Sequence, residues 1–542
     1  MEYGPQPAAE VAGTIDKPVP PLAEAPGTEN PGSAQAEAED DPEAVVSAQR
    51  LPRLLAARRA LAAWAKRALP WARHFPLVGM MAYYAFHFSQ VTVGLLQAFD
   101  QSAYDMAIPD QGIWLLSRFH APFVTVMGKD LFGDHTSFIF LFLVPLYWVY
   151  PHAADLLVLQ AMSLALGALP VYLLARHLLR STTLATALGA AYLLNPALQQ
   201  GNLEQFHVEA FEAPILGFAV YALVTRRNRL LIVMVCLLLL CKQDDFLYVL
   251  PIGLVVVLRG QHRLGGLIIG AGTAVALVEN LLVVPLLLSG IPTTYAGWVP
   301  FGGVSGFFET LIRRPGQFWA YFTSQGRPWY LWQMGFSTGL AAPFAPAILL
   351  IALPELAFDT LSDFGYQHQI TRHYSMPLVA VLMCASAYAI SRVPRGTWRS
   401  ATTFGVALCA LWSCVIWGAA PFSDSPAIAP PTNSQYVKDI RSLTKLIPPG
   451  AAVSAAYNYV PNLAHRPQIY IFPNPFSQSY YGNPKYDGTR LPAASKVQYI
   501  LLPACVSCDG NLGAADQAVL NRVVGDFFVK QANPAAVLYQ RK

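Results

Sequence analysis

Long apolar runs separated by short polar clusters occupy the chain from Phe75 to Ala419, and their lengths set the expected architecture. A run of about 20 apolar residues crosses a bilayer as a helix, since a helix satisfies its own backbone groups in hydrocarbon. The first such run covers about 76–97 and leads outward. Basic clusters at Arg176/Arg180, Arg226/Arg227/Arg229, Arg259/Arg263 and Arg392/Arg395/Arg399 mark cytoplasmic turns, because Arg and Lys concentrate on the inner side. Parity between those turns makes Leu156–Leu174 a span and leaves the shorter Phe138–Tyr150 as a half-inserted helix on the outer side. The same argument splits Trp329–Leu356 into two short helices hinged at Pro343 and Pro346. Runs at 230–241 and 246–258 form a hairpin whose tip is Lys242-Gln-Asp-Asp245. The expected fold class is an all-α polytopic membrane protein of about eleven transmembrane helices, the last at 400–419.

The flanks read differently. Residues 1–45 are rich in Pro, Ala, Glu and Gly without periodicity, which predicts a disordered cytoplasmic tail. Residues 46–75 turn basic and predict a juxtamembrane helix on the anionic inner leaflet. The first apolar run starts too late for a signal peptide. Residues 76–419 then form the transmembrane domain, and 420–542 a small soluble extracytoplasmic α/β domain. Its alternating helical and strand-like runs are Val437–Leu446, Ala451–Ala455, Gln468–Phe472, Val497–Leu502, Ala514–Val523 and Ala536–Gln540. The expected location is the cell membrane, with the N-terminus cytoplasmic.

Composition narrows the functions. Of 542 residues, 54% are hydrophobic and 13% charged, too few charges to solvate a soluble protein of this size. The net charge of +4 is scattered and excludes a nucleic-acid partner. Five of the seven cysteines lie in apolar segments as small hydrophobes. Cys505-Val-Ser-Cys508 lies in the outer domain and reads as a disulfide, ahead of a zinc half-site that lacks a second pair.

Four polar clusters carry the candidate chemistry, and by this topology all face outward. The first loop offers Asp105 and Asp110 as general bases, and Asp134 with His135 as ligands for a divalent cation such as Mg or Mn. The bland alternative is that such acids solvate the loop and cap helices. A second cluster, Asn202 to Glu212, places His207 and Glu209 against an apolar run, where an ionisable group normally faces a cavity, unless it sits at the water interface. The hairpin tip offers Lys242 and Asp244, as a structural ion pair or as a phosphate contact. The fourth, Glu355 to Tyr374, offers Arg372, His373 and Tyr374 for binding, and the Arg372 guanidinium fork matches phosphate oxygens. The plain reading of Arg372 is a span terminus.

At these residues the chain resembles an uncharacterised bacterial multi-pass family, domain of unknown function 2079. The resemblance rests on Tyr104-Asp105, Asp110-Gln111-Gly112-Ile-Trp114, Gly133-Asp134-His135, Pro145-Leu-Tyr147, Phe206-His207-Val-Glu209 and Lys242-Gln243-Asp244. It continues through Leu353-Pro354-Glu355, His373-Tyr374, Val453-Ser454 and Pro461-Asn-Leu-Ala-His465-Arg466. Gln243 departs from the glutamate expected beside the lysine. More distantly, the layout is similar to the C-type (GT-C) membrane glycosyltransferases. That resemblance implies inverting transfer of a sugar from a polyprenyl-phosphate donor to an envelope glycan or protein acceptor, with Asp105 or Asp110 at the acidic position and sometimes a divalent cation. The competing readings are a flippase or transporter of lipid-linked solutes and a non-catalytic membrane scaffold.

Overall fold

The computed structural model describes residues 72–288, 295–480, 488–506 and 512–542. The tail at 1–45, most of the basic helix at 46–75, and Cys508 lie outside the described residues. The chain is mostly helical. Ala154–Leu179, His262–Leu287, His373–Ser391 and Thr397–Trp417 are long and apolar enough to cross a membrane, judged by length and composition. Phe138–Val149, Thr182–Leu193, Asn228–Leu238 and Phe246–Leu258 are shorter apolar helices.

The apolar pattern explains the interior. The helix Met376–Ser391 is buried along nearly its whole length and has no charged residue, and buried Ser386 is satisfied by donating to the Thr338 carbonyl at 2.9 Å. It therefore sits inside the bundle, packing on Glu209–Thr225, Ala168–Leu179 and Pro346–Leu361. The two short helices form as Asn228–Leu238 and Phe246–Leu258, with Lys242 in the turn between them. In place of the expected hairpin packing, each packs on another helix, the first on Glu209–Thr225 and the second on His262–Val278. Pro346 opens the helix Pro346–Leu361 after a single 3-10 turn, Ala342–Phe344, so the hinge falls between this helix and Arg327–Ser337. The expected half-inserted helix begins as a 3-10 segment, Phe138–Leu143, before the α-helix Val144–Val149.

After Trp417 the chain builds a five-stranded sheet. A short pair in the first loop, β1 (Phe123–Val124) and β2 (Lys129–Asp130), precedes it. The sheet comprises β3 (Val453–Ala455), β4 (Ile469–Ile471), β5 (Tyr499–Pro503), β6 (Phe527–Ala532) and β7 (Ala536–Arg541), in the order β4-β3-β5-β7-β6. β3 pairs in parallel with β4 and β5, while β5/β7 and β7/β6 are antiparallel. β6 is one strand more than the sequence pattern predicts, because only Phe527 in it is buried and the rest lacks an apolar face. Cys505 is disulfide-bonded.

This sheet is stitched to the first loop. The Gln111 side-chain amide donates to the Arg466 carbonyl at 3.1 Å, and the Thr125 hydroxyl donates to the Ile469 carbonyl at 2.7 Å. The Ile469 amide returns a 2.9 Å bond to that hydroxyl. The loop between Phe99 and Asp134 is thus held on both sides.

Candidate functional site

A cavity of about 1070 Å³ opens among the first loop, the Lys242 turn and the segments 204–209 and 354–374. One side is polar, with Asp105, Lys129, Asp134, Glu204, Lys242 and Arg372 among its residues. Another is apolar and aromatic, including Phe140, Trp298, Phe307, Phe308 and Phe358. Tyr457, from the loop after β3, also lines it and bonds the Ser102 hydroxyl.

Glu204 organises the polar side. Its carboxylate accepts from Arg372 Nη1 at 2.7 Å, from the His373 amide at 2.8 Å and from His373 Nδ1 at 2.9 Å. Its backbone carbonyl accepts from His207 Nδ1 at 2.8 Å. The chain turns sharply here, with Gln205 at φ +29°. Buried Gln160 holds that turn by accepting from the His207 amide and donating to the Asn202 and Gln205 carbonyls. The two imidazoles consequently stack, with ring centroids 3.5 Å apart and planes 14° from parallel.

With both Nδ1 atoms committed to Glu204, the Nε2 atoms face carboxylates. His207 Nε2 lies 3.8 Å from Asp105 Oδ1, and His373 Nε2 lies 3.7 Å from Glu209 Oε1. Burial would raise the Glu204 carboxyl, but the His373 bond and the charges of His373 and His207, with Arg372, hold it down at about 2. Burial would lower the His207 imidazole, yet the Asp105 carboxylate beside it pushes it up to about 9. Burial also opposes ionisation of Asp105, and His207 outweighs it, keeping this carboxyl below its ordinary value. The loop thus carries an imidazolium at neutral pH, between the Asp105 carboxylate and the Glu204 backbone carbonyl.

The Lys242 turn supplies the cation. Lys242 Nζ donates to Glu209 Oε1 at 2.9 Å and lies 3.3 Å from Asp244 Oδ2. The Arg372 guanidinium stacks on Tyr366 with its carbon 4.2 Å from the ring centroid, and its Nε is buried without a hydrogen-bond partner. Gln243, where the family pattern leads one to expect glutamate, donates its amide to His135 Nδ1 at 3.0 Å and accepts from the Thr136 amide at 3.3 Å.

The residues expected from sequence fall into two sets. Asp105, Asp134, His135, His207, Glu209, Lys242, Asp244, Arg372, His373 and Tyr374 all line the cavity. Asp110 does not. It is fully buried, and its Oδ1 accepts from the Tyr147 hydroxyl at 2.7 Å and meets His465 Nε2 at 2.8 Å. Asp134 is taken by Lys129. Among the described residues, the group whose donors lie within 4.8 Å of one another, close enough to share a metal ion, is Glu204, His207 and His373. Glu204, Gln160 and Tyr457 are the additions that sequence reasoning did not place in the site. Glu204 alone gave a signal, as an acid three residues before His207.

No curated protein matches the sequence. Among solved structures, ArnT from Cupriavidus metallidurans bound to undecaprenyl phosphate aligns with a TM-score of 0.50 at 11% identity, over 85% of this chain and 97% of that one. Its apo state aligns equally well, at 12% identity over 87% and 98%. The oligosaccharyltransferase of Archaeoglobus fulgidus tethered with an acceptor peptide gives a TM-score of 0.42 at 13% identity, over 89% of this chain and 75% of that one. The likeness to ArnT is one of fold, and the fold is that of the GT-C membrane glycosyltransferases. By sequence, residues 95–523 match a family model described as "Predicted membrane protein (DUF2079)", and the chain belongs to that family.

Proposed function

We propose that the protein is a membrane glycosyltransferase that moves a sugar from a polyprenyl-phosphate donor to an envelope glycan or protein acceptor on the extracytoplasmic side. The observation that carries this reading is the single cavity in which Asp105, His207, Lys242 and Arg372 meet an aromatic and apolar wall. A lipid-linked sugar phosphate needs both surfaces: a cationic one for the phosphate and an apolar one for the lipid. The ArnT structure that shares the fold holds undecaprenyl phosphate, a ligand of this chemical kind. The reading carries the sidedness argued from the basic turns, with about eleven spans, a cytoplasmic N-terminus and residues 420–542 outside.

Asp105 is the base in this scheme. Its side chain is 39% exposed to the cavity, and it is ionised at neutral pH. It takes the proton of the acceptor hydroxyl as that oxygen bonds the anomeric carbon. The carbon–oxygen bond to phosphate breaks with its electron pair, and the phosphate leaves against Arg372. Lys242 is less suited to that task, because Glu209 and Asp244 already neutralise it. Glu209, Asp244, His373 and Tyr374 shape the donor pocket. The group that would hold a divalent cation is Glu204, His207 and His373, whose donor atoms lie close enough to share one, and its binding would displace the proton of the His207 imidazolium. Such an ion would neutralise phosphate charge when bound.

The test is profiling of envelope glycans and lipid-linked sugars in a deletion strain complemented with wild type, Asp105→Asn or Arg372→Ala. Wild type should restore the profile and both variants should leave lipid-linked donor unspent. Full restoration by Asp105→Asn at wild-type protein level would remove the assignment.

A further inference from the structure

Beside the main cavity lies a second void of about 10 Å³, walled by Glu209, Glu212, Asp244, Asp245, Glu355 and Tyr248. Lys242 lines it too and is shared with the main cavity. A volume of this size is roughly that of one water-sized particle. Its walls include four helices: Glu212 from Glu209–Thr225, Tyr248 from Phe246–Leu258, Glu355 from Pro346–Leu361 and Pro377 from Met376–Ser391.

Two polar atoms there have no hydrogen-bond partner. They are Glu212 Oε1 and the Tyr248 hydroxyl, on residues only 3% and 2% exposed. Five carboxylates face one ammonium, and that ammonium is committed to Glu209 and Asp244. Asp245 spends one oxygen on the Lys242 amide at 2.9 Å. Glu212, Asp245 and Glu355 are left without a cation of their own. Buried carboxylates with neither proton nor counter-ion are very costly, so one of the two must be supplied.

The donor set indicates which cation could serve. The lining contains carboxylate and phenol oxygens but no imidazole or thiol, a set suited to hard ions. Mg²⁺ holds its water shell and needs more room than one water-sized space offers. We propose that this void binds a dehydrated hard cation, Ca²⁺ or Na⁺, with Glu212 and Tyr248 as ligands, tying their two helices together beside the main cavity.

The test is thermal unfolding of the chelator-treated, purified full chain in detergent at constant ionic strength. CaCl₂ or NaCl should raise Tm saturably, since an ion that binds only the folded state stabilises it by mass action. MgCl₂ should not in the His207→Ala background. The shift should vanish in Glu212→Gln and in Tyr248→Phe, yet persist in His207→Ala, which alters only the imidazole group of the main cavity. Tyr248→Phe removes a single atom and keeps the experiment decisive if Glu212→Gln does not fold. Absence of a saturable rise with both ions would show that protons neutralise the cluster and overturn the proposal. So would a rise that survives in Tyr248→Phe, or one given equally by Mg²⁺ in the His207→Ala background.

Discussion

Asp105 and Asp110 stand five residues apart in one loop, and each meets a histidine from a distant part of the chain, yet the two clusters are built to opposite ends. The Asp105 side chain faces a cavity and stays 3.8 Å from His207, too far for a hydrogen bond. Asp110 is sealed, its side chain 1% exposed, and it is bound by Tyr147 and His465 at hydrogen-bond distance. The first cluster keeps its carboxylate open to the cavity, and the second is sealed in joining the loop to the segment before β4, with Asp110 Oδ2 buried and unpartnered. Residue type does not distinguish a reactive carboxylate from a structural one. Access to the cavity does.

Exchanging the two acids for neutral residues breaks the comparison most sharply. Asp105→Asn should lower turnover by about 10²–10⁴-fold, the usual worth of a general base, with a smaller Tm loss than Asp110→Ala, since Asp105 is part-exposed and meets His207 only at 3.8 Å. Asp110→Ala should do the reverse. It leaves His465 and the Tyr147 hydroxyl without their partner, and breaking such a buried pair costs about 3–5 kcal/mol. Unfolding melts of the purified protein beside turnover assays would show whether the effects separate. A large Tm loss in Asp105→Asn would erase the distinction.

The pH dependence of stability separates the clusters a second way. Burial opposes protonation of His465, but the Asp110 charge wins and raises its pKa. A raised folded pKa gives stability that is complete below the unfolded value, about 6.5, and lost as pH climbs through the folded one. His207 has the same sign, with its loss spread from about 6.5 up to about 9. Melts from pH 6 to 10 should therefore show a decline that His465→Gln and His207→Gln each flatten in part. If Asp110→Ala leaves the His465 portion unchanged, the seam is not ionic.

Much of the open cluster was legible in the sequence, because ionisable residues beside apolar runs are expensive and therefore conspicuous. Asp105, His207, Lys242 and Arg372 stand out for that reason, and the two short helices around Lys242 and the Pro346 hinge follow from run length and proline chemistry. Fine discrimination was not legible. Asp110 has the same local pattern as Asp105, and only contact with His465, far along the chain, seals it. Glu204 gains its role from Arg372 and His373, and no periodicity reports contacts across such a separation. The expected cation ligands Asp134 and His135 are similarly diverted by Lys129 and Gln243.

The smallest effect to measure is one of access, and it tests exposure and sidedness together. In a Cys236→Ser background, which removes an exposed native thiol, Asp105→Cys should react with a membrane-impermeant thiol reagent added to intact cells. Ile113→Cys, in the same helix as Asp110 and fully buried, should not react even after permeabilisation. Arg395→Cys, exposed in a basic turn, should react only once the membrane is opened. Labelling of Arg395→Cys in intact cells would invert the proposed topology while leaving the cavity geometry intact. Equal labelling of Asp105→Cys and Ile113→Cys would instead deny the contrast between an open carboxylate and a sealed one, because the two positions share a loop and differ only in what covers them.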